Sequence, residues 1–381
     1  MKNNIITGTI IFIIELALRC LFYFTVNYTI KDNYANYQSL ILPFIFIIDL
    51  SGFGLFPAMS YYTSKNSNSI APKSGYLIFI GTIFGILYLM ISSIRGLDFS
   101  KIILSLSFLI MPYLQALRGF FQGMRKFYLT TSSIILEMIT RILVYFIGYY
   151  YKYNMLITVS IANTLSYYVS LFYLIVNQIK YERKKVNGIF SHGLKLLPIS
   201  TITSALNFFD FLILNIIQIP DVASGAYLFK ILRLVALPIY FSRTLSSIFL
   251  VSNAKRMSKI YPLVIMICII YMIIARPLIK IYELTYNEQI VMKLYAISFI
   301  SSLLHSLIKI FSANLYTNSK IKGLSIFFFS FILIFIFIGL ILGSRYHIFG
   351  IALANLIVTS ILFIITVVYY YKLNNKMSTT G

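Results

Sequence analysis

The sequence of 381 residues contains few of the groups that carry chemistry in soluble proteins: two cysteines, three histidines and ten carboxylates, with no tryptophan. Cys20 and Cys268 both lie inside apolar runs, which excludes a disulfide framework and a thiolate zinc site. The histidines, His192, His305 and His347, are scattered and lack metal-ligand spacing. We therefore expect neither a metal ion nor another cofactor.

Catalytic motifs are also missing. The sequence has no GxxxxGKS/T loop for nucleotide phosphates, no HExxH and no GxSxG. Because the nucleotide loop is absent, this chain is not expected to hydrolyse ATP. The pattern predicts a protein that is not an enzyme.

Charged residues are scarce and apolar residues are abundant. Only 11% of the residues are charged and 59% are hydrophobic, with a mean hydropathy of +0.87, whereas soluble domains carry roughly 25% charged residues. Apolar runs of about 20 residues are long enough to cross a bilayer as helices. Twelve such runs are found, at about 5–28, 36–62, 73–94, 100–123, 128–151, 154–179, 194–219, 224–251, 260–282, 289–311, 322–343 and 347–371. We therefore expect an all-α polytopic membrane protein of about 12 transmembrane helices.

The longest polar break, Lys180–Gly193, follows the sixth run. It divides the chain into two predicted six-helix lobes, residues 1–187 and 188–381. Because each lobe has an even number of spans, two related lobes would share one orientation, about a pseudo-two-fold axis along the membrane normal.

Coincidences of polar residues indicate that the two lobes are repeats. An offset of 195 residues relates Glu15 to Asp210, and an offset of 192 relates Asn163 to Asn355. Transporters built from such repeats place their substrate site between the halves, near the bilayer midplane.

The formal net charge of +22 is concentrated in loops on one side of the predicted bundle. In a soluble protein this excess would suggest nucleic acid, but here it follows the positive-inside rule, so both termini are expected in the cytoplasm and the protein in the cell membrane. The cations of these loops include Lys65, Lys73, Arg125, Lys126, Lys180, Arg183, Lys184, Lys185, Lys255, Arg256, Lys259, Lys320, Lys322, Lys372 and Lys376.

Ionisable residues inside the predicted spans are the candidate functional residues, because a lipid-facing charge costs about 2.5–3.5 kcal/mol at the bilayer centre. Two acid-first pairs four residues apart, Glu15 with Arg19 and Glu137 with Arg141, have the spacing for internal salt bridges. The remaining acids are Asp49 and Asp210, and the remaining cations are Lys230, Arg233, Arg243 and Arg276.

The cations of the eighth run have no acid on the same predicted helix. Lys230 and Arg233 are three residues apart on one face, so they either extend to the interface or line a cavity. A cationic cavity of Arg19, Lys230, Arg233 and Arg243 would attract phosphate or diphosphate, whose oxygens arginine binds in bidentate fashion. The acids Glu15, Asp49, Asp210 and Glu137, with Arg141, are assigned to ion coupling or to internal pairing.

Four segments resemble a family of exporters. Tyr34–Lys65 contains a proline within a helix and then GLFPAMS before a basic loop, and Arg118–Arg141 reads RGFFQG followed by ExxxR. Leu315–Lys322 and Phe349–Asn355 are similar to later segments of the same group. The chain resembles the multidrug/oligosaccharidyl-lipid/polysaccharide (MOP) exporter superfamily, nearest its stage V sporulation protein B-like and O-antigen-flippase branches.

The resemblance implies a MATE-like bundle of two lobes around a central cavity. It implies a flippase that moves a polyisoprenyl-diphosphate-linked oligosaccharide or polysaccharide unit to the outer leaflet by alternating access. Cationic residues of the first and eighth helices contact the diphosphate in this group, which corresponds here to Arg19, Lys230 and Arg233. The sporulation and lipid-precursor branches usually have fourteen helices, against twelve predicted here. The expected partners are the lipid-linked glycan, membrane lipids and a polysaccharide polymerase or glycosyltransferase; we expect a monomer and no nucleic acid.

Two other functions are compatible with the residues. An ion-coupled exporter of small cations, in the multidrug branch, would use Asp49, Asp210 or Glu15 as its cavity acids. A membrane scaffold for envelope synthesis would transport nothing. The excess of cations over acids within the spans favours an anionic substrate.

Overall fold

The computed structural model describes most of the chain. The described residues are 14–15, 17–19, 21–23, 25–26, 29–30, 34–52, 54–65, 71–93, 96–184, 188–217, 262, 265–266, 269–270, 272–273, 288–315 and 322–378. They form two compact units, Met1–Thr201 (unit 1) and Ile202–Gly381 (unit 2).

Unit 1 consists of helices and one short parallel strand pair. The described residues between 14 and 29 are helical and are labelled α1. They are followed by α2 (Tyr34–Ser51), α3 (Leu55–Lys65), β1 (Ala71–Pro72), α4 (Gly75–Ser93), α5 (Phe99–Gly123), α6 (Phe127–Tyr150), α7 (Met155–Gln178), β2 (Arg183–Lys184) and α8 (Ile189–Ile216), which continues into unit 2.

Local sequence explains where several of these helices begin and end. Asp98 caps α5 by accepting from the amide of Ser100, and Asn154 caps α7 by accepting from Leu156 and Ile157. α5 ends where Arg125 adopts a left-handed conformation with φ of 60°, which directs the chain into α6.

Helix α5 is the centre of unit 1. It packs against α2, α3, α4, α6 and α7, and almost its entire length from Met111 onward is buried. A Cβ at Gly119 would collide with the carbonyl oxygen of Phe56, so this glycine sets the close approach of α5 to α3. At the end of α7, Oε1 of Gln178 accepts from the Tyr113 hydroxyl of α5, and Nε2 of Gln178 donates to the carbonyl of Pro72 at 3.2 Å.

Unit 2 contains the later part of α8, α9 (Glu288–Leu315) and α10 (Lys322–Ser378). α10 is interrupted at His347, whose φ of 52° and ψ of −132° are not helical. At this break the two halves of α10 lie close together, because a Cβ at Gly350 would collide with the carbonyl oxygen of Leu342.

The described helices agree with an all-α polytopic membrane protein. Seven of them are long and apolar enough to cross a membrane, or eight if the bent pair Ile189–Pro198 and Ser200–Leu214 forms one span. Ser325–Lys372, with 48 residues, is far longer than one crossing needs, and the break at His347 divides it as the sequence predicts.

Two details differ from the sequence-based expectation. The run 36–62 corresponds to one candidate span, Asn36–Ser64, as predicted, but a turn at Gly54, whose φ is 60°, divides this span into α2 and α3. The run 194–219 begins earlier, at Ile189, and its two parts are bent by 44° on either side of Ile199, next to Pro198. The predicted span 224–251 lies outside the described residues, as does nearly all of 260–282.

Candidate functional site

Unit 1 holds a salt bridge on its first helix. Both Nε and Nη2 of Arg19 lie 2.9 Å from Oε1 of Glu15, one turn earlier on α1. The Glu15 side chain is only 4% exposed, whereas Arg19 is 16% exposed. Oε2 of Glu15 is buried and has no hydrogen-bond partner among the described residues. Arg19 is therefore the more accessible member of the pair.

A second ionic group joins α5 to α6. Glu137 lies between two arginines: its Oε2 is 2.7 Å from Nη2 of Arg118, and its Oε1 is 2.7 Å from Nη2 of Arg141. All three side chains are buried. Because each carboxylate oxygen has its own guanidinium, the charge of Glu137 is fully paired.

Hydroxyl groups and aromatic rings complete the surroundings of the two arginines. Arg118 donates to Ser133 on α6 at 3.2 Å and to Ser170 on α7 at 2.8 Å, and Arg141 donates to Ser166 at 3.3 Å. The Arg141 guanidinium also lies 5.7 Å from the centre of the Phe22 ring and 5.1 Å from that of Tyr167. The partners in these contacts lie on α1, α6 and α7, and together they fix the positions of the two guanidinium groups.

The two ionic groups belong to one electrostatic neighbourhood. Arg19 interacts electrostatically with both Glu137 and Arg141. We call the five residues Glu15, Arg19, Arg118, Glu137 and Arg141 the arginine cluster; three guanidinium groups and two carboxylates give it one net positive charge. The excess positive charge lies at the buried group in which Arg118 and Arg141 share Glu137, whereas Arg19, which is paired with Glu15, is the most accessible guanidinium of the cluster. Both oxygens of Glu137 are occupied by arginines, so this carboxylate offers no unpaired charge to a cationic ligand.

Asp210 of α8 lies in a different environment, in unit 2. It is 1% exposed, and its Oδ2 accepts a hydrogen bond of 3.1 Å from Nδ2 of Asn355 on α10. No salt bridge to Asp210 is present among the described residues, and its Oδ1 has no hydrogen-bond partner there. Within the described part of the chain, this carboxyl group is therefore held by a neutral amide and not by a cation.

A chain of polar side chains extends from Asn355 to α9. Oδ1 of Asn355 accepts from the hydroxyl of Ser301 at 2.8 Å and from that of Thr359 at 3.2 Å. Thr359 lies 3.4 Å from Nδ1 of His305, and the same nitrogen lies 3.1 Å from the carbonyl oxygen of Ser301. We call Asp210, Asn355, Ser301, Thr359 and His305 the amide network.

The remaining predicted site residues are placed as follows. Asp49 is partly buried on α2. None of the hydrogen bonds and ion pairs described above joins it to the arginine cluster or to the amide network. Lys230, Arg233 and Arg243 lie outside the described residues, so a cationic cavity that joins them to Arg19 stays a prediction. No group of three metal-ligating side chains occurs in the part of the chain that the structure describes.

Two ionisable residues of these groups, Arg118 and His305, were not among the candidate site residues from sequence. Arg118 was noted only as part of the RGFFQG segment, although it lies inside the predicted span 100–123, where a charge requires a partner. His305 was dismissed for lack of ligand spacing, although it lies inside the predicted span 289–311. Asking for the partner of every ionisable residue within a span would have found both.

Solved structures with the same fold are transporters. No protein-family model matches the chain, and no curated protein matches it in sequence. A MATE protein in its straight conformation aligns with a TM-score of 0.70 at 14% identity, covering 98% of this chain and 97% of that one. An outward-facing multidrug resistance MATE family transporter of the MOP superfamily aligns with a TM-score of 0.69 at 16% identity, with 98% and 97% covered.

A third solved structure is a MOP superfamily transporter from Pyrococcus furiosus, described as having a binding pocket of reverse polarity that suggests a different function. It aligns with a TM-score of 0.69 at 15% identity and covers 98% of this chain and 96% of that one. At such identities the likeness establishes the fold, which is the all-α polytopic fold of MATE transporters.

Proposed function

We propose that this protein is an exporter of the MOP superfamily that moves an anionic, lipid-linked glycan from the inner to the outer leaflet by alternating access. The substrate class is a polyisoprenyl-diphosphate-linked oligosaccharide or a cell-envelope polysaccharide unit. The observation that carries the proposal is the net positive charge of the arginine cluster, with Arg19 at its accessible end.

An excess guanidinium inside a membrane protein favours a diphosphate ligand. Arg118 and Arg141 are buried and are engaged by Glu137 and three serines, so they are less accessible to a ligand than Arg19. Nε and Nη2 of Arg19 both contact the same oxygen of Glu15, Oε1. Arg19 is also the least buried of the three arginines in the cluster. Phosphate oxygens compete well for such a guanidinium, because arginine binds them in bidentate geometry.

The same cluster argues against a small-cation exporter. A cationic substrate needs an unneutralised carboxylate, and Glu137 has both oxygens occupied by arginines. Glu15 is paired with Arg19 through its Oε1. The alternative functions, multidrug export and a non-transporting scaffold, therefore gain no support from unit 1.

The rest of the proposal comes from the sequence. Lys230, Arg233 and Arg243 are proposed to line the cavity with Arg19 and to hold the second phosphate. The positive-inside rule places both termini in the cytoplasm. The proposed partners are a polysaccharide polymerase or a glycosyltransferase that supplies or consumes the lipid-linked unit in the same membrane.

The experiment is a binding and translocation assay with the full-length protein in lipid vesicles. The probe is a fluorescent polyisoprenyl diphosphate, and the variant is Arg19→Ala. We expect binding to weaken about tenfold or more, since a charge-assisted bidentate contact is lost, and translocation to fall with it. The matched control is Arg345→Ala, which removes an exposed arginine of α10.

Two results would overturn the proposal. One is unchanged diphosphate binding by Arg19→Ala when this variant inserts and unfolds thermally like the parent. The other is saturable transport of a lipophilic cation whose rate is unchanged in Arg19→Ala and is not inhibited by the polyisoprenyl diphosphate.

A further inference from the structure

Three loops of unit 1 meet at one end of its helices. β1 and β2 pair in parallel, with Ala71 opposite Arg183, and the amide of Ala71 donates to the carbonyl oxygen of Glu182 at 2.8 Å. This pairing joins the loop before α4 to the loop after α7. Both loops carry cations that the positive-inside rule predicts on the cytoplasmic side.

A side-chain contact adds the turn between α5 and α6 to this surface. Nζ of Lys126 donates to the hydroxyl of Tyr181 and lies 5.1 Å from the centre of its ring. The Tyr181 ring also packs edge-on against the rings of Phe120 and Phe121, with centres 5.2 and 6.1 Å apart. The structure therefore unites three basic loops that are separate in the sequence.

This surface carries exposed cations. We call Lys73, Arg125, Lys126 and Lys180 the basic platform. Lys73, Arg125 and Lys180 are exposed, and their side chains make no hydrogen bond or ion pair among the described residues. The acid beside them is Glu182, so the platform keeps a net positive charge. Such cations are available to an anion from outside the chain.

Apolar side chains next to the basic platform indicate where the anion comes from. Ile179, beside Lys180, is 67% exposed, and Tyr128, which interacts electrostatically with Lys126, is 54% exposed. In a membrane bundle, exposed apolar side chains at a helix end contact lipid, and tyrosine is typical of the headgroup level. The cations next to them therefore lie within reach of lipid phosphates. A soluble acidic partner would gain nothing from apolar side chains that contact lipid.

The opposite end of unit 1 has no comparable group of free cations among the described residues. Lys101, near the start of α5, donates to the carbonyl oxygens of Ser92 and Gly96 at the end of α4. Asp98 adds a negative charge in the same turn. This leaves Lys152, in the turn between α6 and α7, as an exposed cation of that end.

We propose that the basic platform binds the phosphate group of an anionic phospholipid in the leaflet at this end of the helices. Arg125 can hold two phosphate oxygens in bidentate geometry, and the lysines add point charges around them. A zwitterionic headgroup brings its own ammonium group, which the platform repels. A lipid such as phosphatidylglycerol is therefore preferred over phosphatidylcholine. The site is argued from unit 1 alone and holds whichever substrate the protein exports.

The test uses the full-length protein in vesicles and a tryptophan as a local reporter, because the chain has none of its own. Tyr128→Trp places the reporter beside the platform, and Tyr150→Trp places it at the other end of α6, about 33 Å away. Quenching by dibrominated phosphatidylglycerol and by dibrominated phosphatidylcholine gives the relative binding constant of the two lipids at each position. We expect a preference of about fivefold or more for phosphatidylglycerol at Tyr128→Trp and almost none at Tyr150→Trp.

Arg125→Gly and Lys152→Gly form a matched pair of charge-removing variants. Both residues are exposed cations with a left-handed backbone, with φ of 60° and 55°, which glycine adopts without strain. In the Tyr128→Trp background, Arg125→Gly should lower the preference for phosphatidylglycerol about fivefold, and Lys152→Gly should leave it unchanged. Lys180→Gln, which does not alter the backbone, should lower the preference by a similar factor.

Three results would overturn the proposal. The first is equal quenching by the two lipids at Tyr128→Trp. The second is a preference that survives both Arg125→Gly and Lys180→Gln in variants that unfold thermally like the parent. The third is displacement of phosphatidylglycerol by an equal concentration of the polyisoprenyl diphosphate probe, which would assign the platform to the exported lipid. Probe binding by Arg19→Ala is measured separately, so this proposal and the proposed function can fail independently.

Discussion

The buried acids of the two units are neutralised in different ways. In unit 1, Glu15 and Glu137 are paired with arginines at 2.7–2.9 Å. In unit 2, Asp210 receives one hydrogen bond from the amide of Asn355 and no salt bridge from the described residues. A carboxylate with a permanent counter-charge stays ionised, whereas one without it is free to take up a proton. The comparison separates carboxylates that have an arginine counter-charge from one that is held, among the described residues, by a neutral amide.

The predicted repeat makes this contrast sharper. In the predicted repeat, Glu15 corresponds to Asp210 and Asn163 to Asn355. Asn163 donates a hydrogen bond of 2.8 Å to the carbonyl oxygen of Val159 on its own helix. Asn355 instead donates to Asp210, which lies on a different helix. In unit 1 arginines take the carboxylates, so the asparagine is left to bond its own backbone.

The largest effect is expected for Glu137→Gln. The change leaves Arg118 and Arg141 buried without their shared anion, and breaking a buried ion pair costs about 3–5 kcal/mol. Thermal unfolding of the purified protein, together with the folded yield, measures the loss. Asp98→Asn is the matched control, because it makes the same chemical change at an exposed cap and should alter stability by less than about 0.5 kcal/mol.

Comparing Asp210→Asn with Glu137→Gln tests most directly whether the buried acids of the two units differ in their counter-charges. Because Asp210 has no counter-charge among the described residues, we expect this change to cost less than about 1 kcal/mol. Equal destabilisation by the two changes would show that Asp210 has a cation partner and that the two units neutralise their acids alike.

An intermediate effect is expected at the two asparagines. Asn355→Ala removes the donor to Asp210 and the acceptor of two hydroxyls, and should destabilise by about 2 kcal/mol. Asn163→Ala removes one bond within a helix, and should cost about 1 kcal/mol or less. Denaturation of the two variants under identical conditions measures the difference between their free energies of unfolding. A larger loss of stability in Asn163→Ala than in Asn355→Ala would contradict the prediction.

The smallest effect is expected for Glu15→Gln. The neutral side chain no longer competes for Arg19, so binding of the polyisoprenyl diphosphate probe should strengthen, by at most about fivefold. Titration of the probe against the parent and the variant measures it. Asp98→Asn again serves as control, and weaker binding by Glu15→Gln would mean that Glu15 helps to hold the ligand.

Much of the fold could be predicted because span length is a local property. The predicted runs 128–151 and 154–179 correspond to Phe127–Tyr150 and Met155–Gln178, and the predicted division of 322–371 falls at His347. The turn at Gly54 was not predicted because the apolar run continues through it, although Ser51–Gly52 and Gly54 are residues that favour turns.

The candidate site was predictable only within single helices. The spacing of four residues between Glu15 and Arg19, and between Glu137 and Arg141, places each pair on one helix face. By contrast, the salt bridge between Arg118 and Glu137 joins two different helices. The hydrogen bond between Asn355 and Asp210 joins residues that are 145 positions apart in sequence. No local pattern encodes such contacts.

The sequence by itself therefore determined that this chain is a helical membrane protein, since the bilayer forces apolar runs of sufficient length into helices. It also determined which charges have a partner one turn away. Only the tertiary structure decided that Glu137 holds two arginines and that Asp210 holds none in the described part of the chain. The reason is physical: helix formation depends on neighbours in sequence, whereas neutralisation of a buried charge depends on which helices pack side by side.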